Sequence, residues 1–142
     1  KSWYLEEVFK YPDPPLMEDA VEVLTKLSEM GLVLGIVSTH NFKHLFRQLK
    51  KDNLASFFRS VVGDQEIKDT AISFFCGLSG FQPSEVLFVG DLPSDIRDGN
   101  NAGVATVFFQ GRFNVPIKYH PSYCIKDLCE ILSLVGGERR IQ

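Results

Sequence analysis

The chain has 142 residues and a formal net charge of −3, a length that suits one domain with its own core. Its 44% hydrophobic and 23% charged residues are ordinary for a globular protein, and the acidic balance argues against a nucleic-acid partner. No stretch approaches the roughly 20 apolar residues of a membrane span, and residues 1–10 lack the apolar core of a signal peptide, so the expected location is cytoplasmic.

The first ten residues, KSWYLEEVFK, precede a break at YPDPPL, where three prolines fall within residues 12–15. Proline disfavours helix there, so residues 1–11 read as a remnant of a cap or a flanking element, and residues 12–142 as an α/β core domain. The chain does not start with Met, so it reads as a portion of a longer protein. From 17 to 30 the spacing of Ala20, Leu24 and Leu27 predicts a helix that Gly31 ends. LVLGIVS (32–38) is a continuous apolar run and reads as a strand buried on both faces. Residues 41–51 return to helix, with Phe42, Leu45, Phe46 and Leu49 on one side, and the lysines and Arg47 reading as its solvated face.

FFRSVVGD (57–64) predicts a short strand, 70–78 a helix through Ala71, Phe74, Phe75 and Leu78, and EVLFVG (85–90) a second fully buried strand. A short helix over 95–102 ends at Gly103, VATVFF (104–109) is a strand, and 125–135 reads as a closing helix. Cys76, Cys124 and Cys129 form no CxxC pair and read as buried free thiols. Alternation of strand and helix predicts a parallel sheet covered on both faces. Right-handed crossovers place every strand's carboxyl end at one edge, where such sheets bind ligands.

Polar residues gather at that edge. Asp91 and Asp95 follow the 85–90 strand, and two close carboxylates resist being ionised together in a dry site unless a cation sits between them. Oxygen donors without soft ligands suit Mg²⁺; the competing use of these acids is capping the loop and the next helix. Ser38 and Thr39 end the 32–38 strand, where hydroxyls and backbone amides suit either a phosphoryl group or a helix cap. Lys68 follows the 57–64 strand as either a cation aimed at the edge or a surface lysine, with Asp64 and Glu66 as surface partners.

In combination, these residues resemble the haloacid dehalogenase (HAD) superfamily of phosphohydrolases, in particular its phosphoglycolate-phosphatase-like branch. LVLGIVS resembles the family's second motif, Lys68 its third, and VLFVGDLPSDIRDGNNAG (86–103) its fourth; the likeness covers roughly residues 12–135. The resemblance implies a Rossmann-like, HAD-like fold and a Mg²⁺-dependent phosphatase of small phosphorylated metabolites. It implies that Ser38, with Thr39 beside it, holds a phosphoryl oxygen, and that Lys68 stabilises the charge of an aspartyl-phosphate. It further implies that Asp91 binds Mg²⁺ and that Asp95 completes the metal's shell or orients its neighbours.

The chain departs from the family at the first motif. No DxD occurs in the sequence, and Asp13 stands alone in the proline turn. The nucleophile is therefore assigned to no residue. The family's first strand, which lies between the strands of the second and fourth motifs, is expected to be missing, with the gap filled by a partner strand or an oligomer, or closed by direct pairing. Thr39 and His40 stand where the family often has Asn, and Asp69 where it often has Pro; His40 is a candidate substrate contact. The alternative function is an inactive HAD-like domain that binds a phosphorylated ligand or a protein partner. A receiver-like module is a third reading, disfavoured because no acceptor Asp follows an early strand.

Overall fold

The computed structural model describes the backbone of residues 4–5, 14–110 and 118–141, and the side chains of residues 19–110 and 118–136. It is an α/β fold with parallel pairing throughout. In chain order the elements are β1 (Tyr4–Leu5), α1 (Pro14–Glu29), β2 (Gly35–Val37), α2 (Phe42–Lys51), β3 (Ser60–Val62) and α3 (Asp69–Ser79). They continue as β4 (Leu87–Gly90), α4 (Pro93–Ala102), β5 (Ala105–Phe109), β6 (Tyr123–Ile125) and α5 (Glu130–Ile141). Strands β1, β4, β5 and β6 form one sheet in that order, and β2 pairs with β3.

The central strands read as expected because their residues are apolar on both sides. All of β2 and all of β4 are buried. Ile36 and Val89 enter a core with Leu24 of α1, Leu45 of α2 and Ile131 of α5. Their neighbours Val37 and Phe88 enter a second core with Ile72 and Phe75 of α3. Successive strand side chains point to opposite faces, so these two clusters are the two covered sides of the sheet.

Several expectations are corrected. The strand expected to be missing beside β4 has a counterpart: Tyr4 and Leu5 pair in parallel with Phe88 and Val89, and this short strand also neighbours β2. Direct pairing of β2 with β4 does not occur in the sheet order. Helix α1 starts at Pro14, inside the proline run, because a helix's first turn needs no N–H donors and tolerates proline. Residues 6–13, including Asp13, lie outside the described residues.

The closing helix begins later than its apolar spacing suggested. Residues 123–125 are instead β6, with Phe108 paired to Cys124 and Phe109 to Ile125. A short apolar run fits strand or helix equally, and the open edge of β5 decided it. The Glu130 carboxylate accepts from the N–H groups of Asp127 (2.8 Å) and Lys126 (2.7 Å), which fixes the start of α5 and holds Glu130 below the usual carboxylate range.

Two amphipathic stripes were also misjudged. Leu45 and Leu49 of α2 are buried, but Phe42 and Phe46 are exposed and stack on each other with centroids 5.6 Å apart. On α3, Ile72, Phe75 and Cys76 are buried, whereas Phe74 and Leu78 face outward.

Cys76 alone of the three thiols is buried; Cys124 and Cys129 are exposed. Burial pushes the Cys76 thiol up, which disfavours its reactive thiolate. A thiol reagent is therefore expected to label two cysteines of the folded chain quickly and the third only on unfolding. Rapid labelling of all three under native conditions would contradict the packing of α3.

Candidate functional site: a buried lysine–aspartate pair at the sheet edge

Each sequence-predicted site residue lies at or just beyond a strand's carboxyl end. Ser38 follows β2. Its N–H donates to Val62 O at 2.9 Å, extending the β2–β3 ladder, and its carbonyl accepts from Gln65 N–H at 3.0 Å. The Ser38 hydroxyl accepts from His40 N–H at 3.1 Å. It does not cap α2, because Asn41 does so by accepting from His44 N–H at 3.1 Å. Thr39 is exposed beside it.

The loop after β3 is pinned against this turn. Asp64 donates its N–H to His40 O (2.8 Å), and its carboxylate accepts from Phe42 N–H (3.1 Å). Gly63 permits this approach, since a Cβ there would lie 2.7 Å from both His40 O and Phe42 Cα. Asp64 is thus committed to the β2–α2 turn.

Lys68 is no surface lysine: it is 2% exposed. Its ammonium donates to Asp95 Oδ1 at 2.7 Å, and Asp95 is fully buried. Asp95 Oδ2 accepts from the N–H of Leu92, the residue that caps α4, at 3.1 Å. Asp95 comes so close to β4 because Gly90 has no side chain. Withdrawing two charges from water costs several kcal/mol per ion, and a good contact regains it only in part. A buried ion pair is therefore poor evidence of stabilisation, and its position at the ligand-binding edge marks a functional candidate.

Asp91 follows Gly90 directly, and its Oδ1 is a buried carboxylate oxygen. The acids at this turn offer hard oxygen donors with no thiol among them, which fits a hard divalent cation. Among the described residues no three His, Cys, Asp or Glu side chains converge as a closed metal cage. Mg²⁺ binds through one or two carboxylates and keeps waters or phosphate oxygens in its other positions.

Sequence reasoning missed Asp98. It is 1% exposed, and its Oδ2 accepts from the backbone N–H of Lys68 at 2.9 Å. The available signal was its spacing from Asp95: three residues apart on a helix place both acids on one face. A groove of about 300 Å³ lined by Leu32, Leu34, Phe57 and Arg59 opens at the other end of β2 and β3 and belongs to no part of this site.

The profile of the haloacid dehalogenase-like hydrolases matches residues 3–109, which contain every residue of this constellation. The chain belongs to that family. Among curated relatives, the phosphoglycolate phosphatase of Haemophilus influenzae is 30% identical over 128 residues, covering 84% of this chain and 57% of that protein. Pyrophosphatase PpaX of Listeria monocytogenes is 27% identical over 148 aligned positions, covering 97% of this chain and 68% of that protein. Among solved structures, a predicted phosphoglycolate phosphatase from Haemophilus somnus superposes with a TM-score of 0.76 at 27% identity, covering 82% of this chain and 56% of that one. The core domain of a Streptococcus pneumoniae protein gives the same TM-score of 0.76 at 20% identity and covers 96% of both chains, which shows the shared fold. The chain thus spans little more than half the length of the Haemophilus relatives.

Within the family, the alternation of strands and helices and the phosphoglycolate-phosphatase-like branch are as the sequence suggested. No helix among the described residues is long and apolar enough to cross a membrane.

Proposed function

We propose that this chain is the phosphate-handling core of a Mg²⁺-dependent, cytoplasmic phosphohydrolase that acts on small phosphorylated metabolites. The observation that carries the reading is the buried Lys68–Asp95 pair at the carboxyl edge of the sheet. Phosphoryl transfer needs positioning and charge neutralisation more than covalent chemistry from the protein. Lys68, held by Asp95, supplies a fixed positive charge. Ser38, at the end of a rigid buried strand, supplies a hydroxyl for a phosphoryl oxygen, with Thr39 beside it. Asp91 is the proposed metal ligand. Asp95 either completes the metal's shell beside Asp91 or orients its neighbours; its contacts with Lys68 Nζ and Leu92 N–H support the orienting role. The bound Mg²⁺ would neutralise phosphate charge.

The attacking carboxylate is assigned to no residue, since the 142 residues contain no DxD. That same fact favours the second reading, an inactive domain that binds a phosphorylated ligand or a protein partner. Both readings share a phosphate site, and turnover separates them.

Amide NMR of the chain titrated with orthophosphate is expected to move the signals of Ser38, Thr39, Lys68 and Asp91, more so with Mg²⁺ present. Shifts confined to other surfaces would refute the phosphate site. Hydrolysis of p-nitrophenyl phosphate by this chain is expected to be undetectable. A rate that Asp91→Asn abolishes would show instead that a nucleophile is present.

A further inference from the structure

We infer that Asp98 is the positioning residue of Lys68, fixing the lysine's backbone so that its ammonium meets Asp95. Lys68 occupies the cap position of α3, where a backbone N–H has no partner within the helix. Asp98 supplies that partner from another helix, 30 residues away in sequence, at 2.9 Å. The lysine is thereby held at two points by one face of α4. Its backbone is fixed by Asp98 and its ammonium by Asp95, at 2.7 Å.

Asp98 is itself held. Its Oδ1 accepts from Arg97 Nε at 2.9 Å, and the Arg97 side chain is 38% exposed. The Asp98 carboxylate, and then Tyr119, hold the Arg97 guanidinium above its ordinary pKa. With one oxygen committed to Arg97, the other is aimed at Lys68 N–H. A carboxylate that served only to start α3 would need no burial, since exposed caps do that work. Asp98 is 1% exposed, and α4 brings it in beside the carboxylate that binds the same lysine.

The meaning for catalysis rests on the proposed phosphate role of Lys68, but the test reads Lys68 itself. In ¹⁵N-labelled chain, the Lys68 ammonium is expected to give a protected Nζ–H signal. In Asp98→Ala that protection should fall by about tenfold or more, as a locally opened contact exchanges faster. Asp98→Asn keeps an acceptor oxygen for Lys68 N–H and should restore most of it. Leu49→Ala, a cavity in the other core, should lower stability without moving the Lys68 signal.

A folded Asp98→Ala chain with an unchanged Lys68 ammonium would overturn the inference, as would an equal change in Leu49→Ala. If Asp98→Ala does not fold, the unaltered chain decides. Its Lys68 amide should exchange about tenfold more slowly than those of Glu66 and Ile67, and equal rates would overturn the inference. Intact Lys68 effects with no orthophosphate binding would refute the phosphate role and leave the positioning role standing.

Discussion

Lys68→Met is expected to destabilise the chain by about 3–5 kcal/mol, the usual cost of stranding one member of a buried ion pair. The side chain removed is 2% exposed, and the carboxylate left behind, Asp95, is fully buried with its Oδ1 deprived of the ammonium. Most of the loss lies in that stranded charge rather than in the pair's own attraction. Asp95→Asn in the Lys68→Met background removes the charge and keeps an oxygen for Leu92 N–H, so it should recover about 2 kcal/mol or more. Urea unfolding of the wild type, both single variants and the double variant closes the cycle. A Lys68→Met cost below about 1 kcal/mol would show that Asp95 is not held as charged and buried. The refolded double variant should still fail to bind orthophosphate, which separates the role of the pair in the site from its role in the fold.

Gly90→Ala is expected to cost about 3 kcal/mol, at the upper end for an overpacked site. The added Cβ would stand 2.3 Å from Asp95 Cβ and 2.6 Å from its Cγ and Oδ2. The clash is with the root of the side chain and not a flexible tip, so Asp95 has to move, and Lys68 and Leu92 N–H lose their partner. Gly77→Ala is the contrast. A Cβ at Gly77 meets nothing within 4 Å, and the position lies inside α3. There alanine should stabilise by about 0.5–1 kcal/mol through helix propensity. Thermal melts of the two variants should move in opposite directions. Equal shifts would mean that the β4–α4 turn opens to admit the methyl group.

These two positions show how differently parts of the site can be read. The Gly90-Asp91 turn and Asp95 stand out in the sequence because an apolar strand ends abruptly in acids. Which acid meets which cation does not. Lys68 could be placed at the sheet edge from its position after the 57–64 strand, but its burial could not. Chain distance hides the pairing: 27 residues separate Lys68 from Asp95, and only the packing of α3 against α4 joins them. The spacing of Asp98 from Asp95 marked it as an acid on the same helix face, but its partner, the Lys68 backbone N–H 30 residues away, leaves no mark in a sequence.

By itself the sequence determined the parallel α/β architecture, the two fully buried strands and the edge at which the polar residues gather. Those features depend on local pattern: apolar runs that cannot face water, helical spacing, and glycines that stop helices. Tertiary structure decided that Tyr4–Leu5 lies beside β4, that 123–125 is a strand, and that Phe74 and Leu78 face outward while Ile72 and Phe75 do not. It also decided that Lys68 is buried against Asp95 and held from behind by Asp98. In each case the outcome depends on an open strand edge or a facing helix supplied from far along the chain, which local spacing does not encode.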